Sequence, residues 1–557
     1  MDPICKEERG KGNGEIRMTN DESNPNDEIR NGRHFVIRTS GLIRDSGFGF
    51  LVWPPPAYNH GMAGAQAPLG RSLALLTDLY QLTMAYGYWK LGRDRLDAVF
   101  HLSFRTHPFS GGYTVACGLQ DVIQFLSDLR FADDDLDYLS SLKGDDDLPL
   151  FEPPFIEHLK SFRFACDVDG VPEGTIVFPH EPLLRVKGPI LHGQIVETPL
   201  LNMINFQTLI ATKAARVCHA AGGEPVLEFG LRRAQGIDGA IAASRAAFVG
   251  GCAATSNVLA GKMFGIPVRG TLAHSWVMSF DSELEAFDAY ARAMPNNCSF
   301  LVDTYDTLQG VRHAVEIAKK LRQTGHRFLG IRLDSGDLAY LSIEARKILD
   351  DAGFTDAPIL ATNDLDEQVI ESLKLQGAKI AVWGVGTRLA TAYGQPALGG
   401  VYKLGAVTDA GGKWRYKVKL SEQTAKISMP GILQVRRFSD DHGFIADAIF
   451  DEAHPIPARR DCTIVDPGDV MRHKTIPHGA ACEDLLVPIF RAGSRVYDPP
   501  PLTEAQARAR RQLAGFHEGI KRLLNPHEYP VGLESSLSEL RTQLVLEARR
   551  ANLPAPT

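Results

Sequence analysis

The sequence lacks several features that would place it in a specialised class of protein. None of its eight cysteines forms a Cys-x-x-Cys pair, which argues against a zinc ribbon or a thioredoxin-like site. It has no apolar run of 18 residues, and its first residues do not follow the secretory-signal pattern. It also lacks a basic excess, because its net charge is −7, so neither nucleic acid nor a membrane is expected as a partner. We therefore expect a cytoplasmic protein with reduced thiols.

Common catalytic signatures are absent as well. There is no Gly-x-Ser-x-Gly elbow and no His-Glu-x-x-His helix, so neither a serine hydrolase nor a zinc protease is supported. The P-loop pattern is missing too, because Lys262 follows Gly261 but is itself followed by Met263. An ATP site in this protein would therefore have to be built differently.

What the chain does contain is an ordinary globular composition after an atypical beginning. Of its 557 residues, 44% are hydrophobic and 23% are charged, so most of the chain should fold around apolar cores. Residues 1–66 differ, because 1–34 have almost no apolar side chains. We predict that 1–66 form a disordered N-terminal extension.

Strand-like and helix-like segments alternate between about Val226 and Thr387. Strands are predicted at 226–229, 268–271, 300–302, 328–333, 359–361 and 380–383, with a short one near 252–254. The helices between them have apolar residues three and four apart, and one opens with the capping box Ser282-x-x-Glu285. This alternation predicts an α/β fold with parallel strands joined by helical crossovers. The pattern alone is compatible with a closed barrel and with an open doubly wound sheet.

Polar residues follow most of these strands. The carboxyl ends of parallel strands share one edge, and active sites lie there. The residues expected on that edge include Arg232, Arg233, Thr271, His274, Ser275, Asp303, Arg332, Asp334, Asp337, Asn363, Asp364 and Gly384 to Thr387. Arginines, carboxylates, a histidine and a glycine turn together suit an anionic substrate with phosphates, held with a divalent metal ion.

The glycine turn is a candidate phosphate site. Gly386 lets the backbone present N–H groups to an anion, and Thr387 adds a hydroxyl donor. Because Leu389 stands where a dinucleotide fingerprint needs glycine or alanine, a single phosphate is favoured over a pyrophosphate cofactor. The alternative is a plain strand-to-helix turn.

Arg332 and the two aspartates that follow it form a second candidate group. Arg332 and Asp334 are two residues apart, so a strand would point both side chains the same way. The guanidinium fits a ligand carboxylate, and Asp334 with Asp337 fits magnesium. The alternative is an internal salt bridge with a helix N-cap at Ser335 or Asp337.

Two further residues, His274 and Arg232, each have two possible interpretations. His274 follows a predicted strand and is either a general base or nucleophile, or a hydrogen-bonded structural residue. Arg232 is either a phosphate ligand at a strand end or surface charge.

Eight ordered segments of the chain stand out together: LLTDLYQLTMAYGYW (75–89), LEFGLRRAQGIDGAI (227–241), ATSNVLAGKMFGIPVRGTLAHSW (254–276), LVDTYDT (301–307), GIRLDSGDLAYLS (330–342), ATNDLDE (361–367), VWGVGTRLATAY (382–393) and GGVYKL (399–404). These segments closely resemble the nicotinate phosphoribosyltransferase family. The likeness runs from about Leu73 to Leu533, so it is far more specific than any single motif.

The resemblance implies the fold of the type II phosphoribosyltransferases, an irregular parallel α/β barrel with a second α+β domain. It implies the N-terminal part of the α+β domain at 67–190 and the catalytic barrel at 191–400. Residues 401–557 would supply strands that return to the first domain, followed by terminal helices. It also implies a homodimer with sites near the subunit interface.

The implied reaction converts nicotinate, phosphoribosyl pyrophosphate, ATP and water to nicotinate mononucleotide, pyrophosphate, ADP and phosphate, with Mg²⁺ or Mn²⁺ and a phosphohistidine intermediate. By position, the family roles fall on His274 as the phosphorylated histidine; Tyr80, Thr271 and Arg332 as nicotinate ligands; Gly386, Thr387 and Arg232 as phosphoribosyl ligands; and Asp334 and Asp337 as catalytic or metal-binding carboxylates.

Three alternatives remain at this point. The nearest is a phosphoribosyltransferase for nicotinamide or quinolinate. A sugar-phosphate barrel lyase would need a Schiff-base lysine at a strand end, whereas these strands end in Arg, Asp, His and Thr. A non-catalytic scaffold is disfavoured by the presence of His274, Arg332, Asp334 and Thr387.

Overall fold

The computed structural model describes residues 73–422 and 427–551, so the extension predicted over 1–66 lies outside the described residues. The N-terminal part contains α1 Leu79–Lys90, β1 Asp97–Ser103, β2 Thr114–Val115, α2 Leu119–Asp128, α3 Asp133–Ser141, α4 Pro153–Lys160, β3 Asp167–Gly170, β4 Ile176–Val177 and β5 Leu184–Pro189. None of the helices in the described ranges is long and apolar enough to cross a lipid bilayer.

The middle of the chain alternates helices and short strands. Its elements are α5 Ile190–Ile195, α6 Glu197–Ala221, β6 Val226–Glu228, α7 Ile237–Val249, β7 Ala254–Thr255, α8 Val258–Phe264, α9 His274–Met278, α10 Glu283–Ala293, β8 Phe300–Leu301, α11 Thr307–Gln323, β9 Ile331–Leu333, α12 Leu338–Asp351, β10 Ile359–Ala361, α13 Glu367–Leu375, β11 Val382–Val385 and α14 Thr387–Ala390. A 3₁₀ turn, Leu231–Arg233, follows β6.

The C-terminal part is mostly strands. Its elements are β12 Val401–Thr408, β13 Trp414–Tyr416, β14 Leu433–Asp440, β15 Gly443–Asp451, β16 Cys462–Val465, β17 His473–Ile476, β18 Ala481–Asp484, β19 Val487–Arg491, β20 Ser494–Arg495, α15 Leu502–Gly515, α16 Glu518–Lys521, β21 Val531–Glu534 and α17 Ser535–Ala551.

Among the described residues, the middle segment builds a six-stranded parallel sheet in the order β7-β6-β11-β10-β9-β8. A single parallel bridge from Thr255 to Val268 extends it by one position. The strand predicted at 268–271 was therefore wrong beyond Val268. Residues 268–270 lie exposed at the free edge of the sheet, and within 73–422 and 427–551 no strand is paired beyond them.

In the described part of the chain, a side-chain contact rather than a ladder links the segments beyond the two edges of this sheet. His274 lies beyond the Val268 edge and Thr304 lies beyond β8 at the other edge, and the His274 Nδ1 atom is 3.1 Å from the Thr304 hydroxyl. Nearby, the Trp276 indole donates to the Ala286 carbonyl at 3.0 Å. The predicted α/β fold class, an irregular parallel barrel, is confirmed in this form.

The helices of the barrel begin where their sequences provide a cap. The side chains of Asn257, Ser282, Asp306, Asp337 and Asp366 each accept a hydrogen bond from a backbone N–H in the first turn of the helix that follows. Such caps satisfy N–H groups that have no partner within the helix. The capping box predicted at Ser282 is thus present on its Ser282 side.

A second, antiparallel sheet combines both ends of the described chain. Its order is β13-β12-β1-β5-β3-β19-β20. The N-terminal strands β1, β5 and β3 occupy its centre, and strands from beyond the barrel flank them on both sides. The barrel segment is therefore inserted between two parts of one sheet.

A third sheet, in the order β17-β16-β21-β15-β14-β18, is anchored by a buried ion pair. Both side chains of the Arg437–Asp447 pair are 0% exposed. Arg437 also donates to the Ile176 carbonyl of β4 at 2.8 Å, and the Tyr529 hydroxyl donates to Asp447 at 2.9 Å. The pair thereby ties the C-terminal sheet to the N-terminal part of the chain.

Glu181 lies fully buried beside this pair. Burial, followed by the nearby negative charge of Asp447, holds the pKa of Glu181 well above its usual value. The protonated form of Glu181 is therefore favoured beside the Asp447 carboxyl group that pairs with Arg437.

We expect Glu181→Gln to match the wild-type stability at pH 4, since glutamine resembles a protonated glutamate. Asp447→Asn should lower the free energy of unfolding by about 3–5 kcal/mol, because it leaves Arg437 buried without its partner. The folded pKa of Glu181 lies above the unfolded one, so its contribution is fully present below the unfolded pKa and is lost as pH rises. Denaturant unfolding between pH 4 and 8 should show a shallower decline in Glu181→Gln; equal destabilisation by both variants would contradict this.

Candidate active site

Arg332 occupies the centre of the polar rim at the carboxyl edge of the barrel. Its side chain is 15% exposed, and three of its nitrogens donate to three oxygens from different segments. Nε donates to Thr362 Oγ1 at 2.9 Å, Nη1 to Thr271 Oγ1 at 3.2 Å and Nη2 to Asp334 Oδ1 at 3.0 Å. Each terminal nitrogen carries two hydrogens, so one N–H on Nη1 and one on Nη2 remain for a ligand.

Asp334 lies beside Arg332 and faces the histidine of the rim. Its Oδ1 atom accepts from Arg332 and from the Thr362 hydroxyl, and its Oδ2 atom is 3.7 Å from His274 Nε2. Burial by itself would raise the pKa of Asp334, but the Thr362 hydrogen bond and the Arg332 charge outweigh it and lower that pKa. The carboxylate is therefore ionised over the neutral range.

Asp303 holds the turn that follows β9. Its Oδ2 atom accepts from the Asp334 backbone N–H at 3.2 Å and from the Ser335 hydroxyl. Its Oδ1 atom is buried and has no hydrogen-bond partner within the described ranges. Asp303 thus fixes Asp334 and keeps one oxygen lone pair available.

Asp337 lies at the N-cap of α12, where its side chain accepts from the Tyr340 N–H at 3.1 Å. The alternative interpretation of this segment was a salt bridge between Arg332 and Asp334 together with a helix N-cap. Both features are present. The metal-binding role of Asp337 stays a prediction.

His274 begins α9 and is 40% exposed at its side chain. One ring nitrogen meets the Thr304 hydroxyl and the other faces Asp334, so the ring lies between two polar partners. A histidine that is accessible and oriented in this way is suited to accept a transferred group.

The glycine turn lies next to β10, where β6 and β11 approach closely. A Cβ atom on Gly384 would lie 2.5 Å from the Thr362 methyl group and 2.9 Å from the Phe229 ring. A Cβ on Gly386 would lie 3.0 Å from the Phe229 carbonyl oxygen. The two glycines therefore let β11 and the start of α14, at Thr387, pack against the rim.

Arg232 lies in the exposed 3₁₀ turn after β6 and has no ion-pair partner in the part of the chain that the structure describes. The turn is held from below by Glu228, which is 1% exposed and accepts from the Gly230 N–H and from the Ser244 and Thr255 hydroxyls. The guanidinium is thus free to meet an anion.

Tyr80 has a different set of neighbours in this chain. It lies on α1 and is 49% exposed. Its partial burial, followed by the negative charges of Glu197 and Asp78, raises its pKa. Its other neighbours are Gln81 and Thr198. Polar contacts join Thr271, His274, Arg332 and Asp334, whereas Tyr80 makes no hydrogen bond or ion pair with that group among the described residues.

Two residues of the rim were missed by sequence reasoning, and a third had no assigned role. Thr304 and Thr362 each stand directly beside a rim position, after Asp303 and after Ala361, and a hydroxyl at a strand end was the available signal. Asp303 was expected at this edge but without a function. In the described ranges no group of three or more His, Cys, Asp or Glu side chains could hold a metal ion alone.

Three family models match the chain in order. The nicotinate phosphoribosyltransferase N-terminal domain matches residues 75–205, the nicotinate phosphoribosyltransferase family 225–414, and the C-terminal domain of the same enzyme 434–541. Together they account for the barrel and for both flanking sheets.

Curated relatives match over most of their length. The nicotinate phosphoribosyltransferase of Bacillus subtilis (strain 168) is 44% identical over 485 residues, covering 86% of this chain and 96% of that protein. The nicotinate phosphoribosyltransferase of Homo sapiens is 36% identical over 543 residues, covering 87% and 99%. A crystal structure of human nicotinic acid phosphoribosyltransferase superposes with a TM-score of 0.73 at 34% identity, covering 84% and 99%.

The close approach at Gly384 leads to a stability prediction. Gly384→Ala should lower the free energy of unfolding by about 1–3 kcal/mol, because the added methyl group overlaps Thr362 and Phe229. Gly87→Ala is the matched control, since a Cβ there meets nothing within 4 Å in α1. Urea unfolding of both variants measures the difference, and a Gly384→Ala protein as stable as wild type would show that the rim packs more loosely.

Proposed function

Because the chain belongs to the nicotinate phosphoribosyltransferase family, we propose that the rim around Arg332 is where nicotinate reacts with phosphoribosyl pyrophosphate. The products are nicotinate mononucleotide and pyrophosphate, the first step of NAD synthesis from nicotinic acid. The observation that carries the proposal is the guanidinium of Arg332, anchored by three oxygens and left with two N–H groups.

Arg332 selects the substrate by charge. The two free N–H groups match the two oxygens of the nicotinate carboxylate. The neutral amide of nicotinamide brings no charge to this cation and presents an N–H donor to it, so it binds more weakly. Thr271 lines the same position through its hydrogen bond to Arg332.

In the reaction, the pyridine nitrogen of nicotinate attacks C1 of the ribose, and the bond from C1 to the pyrophosphate oxygen breaks. Positive charge develops on the ribose ring as that bond weakens, and the ionised Asp334 stabilises it. The 5-phosphate is held at Gly386 and Thr387, with Arg232 above the same edge. Asp337 is proposed to act with Asp334 because both belong to the motif at 330–342.

Mg²⁺ or Mn²⁺, when bound, neutralises the departing pyrophosphate. Asp334 fits such an ion, because its Oδ2 atom makes no hydrogen bond among the described residues. A magnesium ion commonly takes one or two carboxylates and completes its shell with water and substrate phosphates. Asp334 and Asp337 are the proposed carboxylates.

ATP is the proposed co-substrate through His274. The imidazole nitrogen attacks the γ-phosphorus, the bond to the bridging oxygen breaks and ADP leaves; water later cleaves the P–N bond. A phosphoryl group on His274 would add negative charge beside Asp334, so ATP can change substrate affinity at the rim.

We further propose a cytoplasmic homodimer. The motif that contains Tyr80 assigns it to nicotinate, yet its neighbours in this chain are Asp78, Gln81, Glu197 and Thr198. A second subunit resolves this, because Tyr80 of one chain would complete the rim of its partner. The described cysteines are all unpaired, which suits a reducing compartment.

The proposal is tested by assaying nicotinate, nicotinamide and quinolinate with phosphoribosyl pyrophosphate, with and without ATP. We expect nicotinate mononucleotide from nicotinate only, and more of it with ATP. Arg332→Ala should raise the KM for nicotinate by roughly ten- to a hundredfold, the value of a lost charge-assisted hydrogen-bond pair, with far less effect on the sugar phosphate.

The matched control is Arg292→Ala, since Arg292 is a 74% exposed arginine on α10. It should behave as wild type. Turnover of quinolinate or nicotinamide instead of nicotinate would replace the proposed activity, and an equal rise in both KM values for Arg332→Ala would remove Arg332 from its role.

A separate experiment tests His274. Incubation with ATP labelled in the γ-phosphate should put acid-labile label on the wild-type protein and none on His274→Asn. His478→Asn, at an exposed histidine paired with Asp461, should label normally. Undiminished label on His274→Asn would move the phosphorylation to another residue.

A further inference from the structure

Thr362 stands directly after β10, in the middle of the rim, and is 4% exposed. Its hydroxyl accepts from Arg332 Nε at 2.9 Å and is hydrogen-bonded to Asp334 Oδ1. It is thus the one described side chain that bonds to both members of the Arg332–Asp334 pair.

The direction of these bonds follows from the donors. The Nε–H group of Arg332 can only donate, so the Thr362 oxygen accepts it. The single hydroxyl proton then points to Asp334 Oδ1 or to the Leu333 carbonyl, which is 3.3 Å away, and the contact to Asp334 is the shorter. Thr362 therefore bridges a cation and an anion, and both of its bonds are charge-assisted.

The bridge determines how Asp334 engages the guanidinium. With Nε occupied by Thr362, Asp334 takes a single N–H of Arg332, on Nη2. Without the hydroxyl, Nε–H and Nη2–H would both face Asp334, and a side-on pair with two parallel hydrogen bonds would form. The guanidinium would then turn toward Asp334 and away from the ligand.

The shape around Thr362 holds the hydroxyl in place. Its methyl group lies against Gly384 of β11, where a Cβ would be 2.5 Å away. A branched side chain has few rotamers, so the methyl contact orients the hydroxyl toward Arg332 and Asp334. Valine keeps this shape and loses the hydroxyl, whereas serine keeps the hydroxyl and loses the methyl group.

We infer that Thr362 is a positioning residue for nicotinate, holding Arg332 with two N–H groups directed at the substrate carboxylate and limiting Asp334 to one bond. Thr362 acts through Arg332 and touches no reacting atom. This inference rests on the proposed function, because it assumes that the free N–H groups receive nicotinate.

The test is steady-state kinetics on full-length wild type, Thr362→Val and Thr362→Ser. Thr362→Val should raise the KM for nicotinate about tenfold, leave the KM for phosphoribosyl pyrophosphate within about twofold, and reduce the preference for nicotinate over nicotinamide. Thr362→Ser should recover most of the lost nicotinate affinity. A merely structural defect would weaken both substrates alike and would not be rescued by serine.

Thr212→Val is the matched control, since Thr212 is a fully buried, hydrogen-bonded threonine on α6 away from the rim. It should lose stability without changing the ratio of the two KM values. If Thr362→Val does not fold, Thr362→Ala serves in its place with the same expected ratio.

The outcomes separate the two claims. A wild-type protein that makes no nicotinate mononucleotide overturns the proposed function and this inference with it. An active wild type whose Thr362→Val and Thr362→Ala variants keep the wild-type KM for nicotinate, or lose both substrates equally, overturns the positioning role alone.

Discussion

A guanidinium that lies mostly out of water must have its N–H groups satisfied, and this requirement organises the rim around Arg332. Its acceptors belong to three segments: Thr271 beyond the free edge of the sheet, Asp334 directly after the strand of Arg332 and Thr362 directly after the next strand. An unpaired buried charge costs several kcal/mol, so a register error between these strands would be strongly disfavoured. The need to satisfy one cation therefore fixes the geometry that can recognise one anion.

The carboxylates of the rim divide two tasks that look alike along the chain. Asp303 and Asp306 are three residues apart after β8, and Asp334 and Asp337 repeat that spacing after β9. In each pair the first aspartate bonds within the rim and the second caps the helix that follows. The repeated pattern arises because a strand end and a helix start are adjacent in a crossover connection, and each needs a polar side chain.

The remaining sheets hold this edge in place. The barrel segment is inserted between strands of one antiparallel sheet, so its two ends are tied to the same layer. The buried Arg437–Asp447 pair joins the third sheet to β4. In this chain the fully desolvated pair thus serves the architecture, whereas the pair at the rim stays partly exposed.

Much of this organisation follows from local sequence. Alternating strands and helices indicate parallel strands. The strands that begin at 226, 300 and 359 start at their predicted residues, and those that begin at 331 and 382 start inside the ranges predicted for them. Period-two geometry already places Arg332 and Asp334 on one face, and the ordered motifs identify the family. These features depend on neighbours a few residues away, which a sequence displays directly.

Only the tertiary structure decides which distant groups meet. The bonds from Arg332 to Thr362 and Thr271 span 30 and 61 residues, and they depend on the register of β9 against β10 and on the path after Val268. The neighbours of Tyr80, which include Glu197 and Thr198, likewise come from a distant part of the sequence. The N-cap bond of Asp337, by contrast, is local and was one of the two interpretations of its motif. Hydrogen bonds between distant segments require particular strand offsets and loop paths, and local patterns of polarity do not specify these.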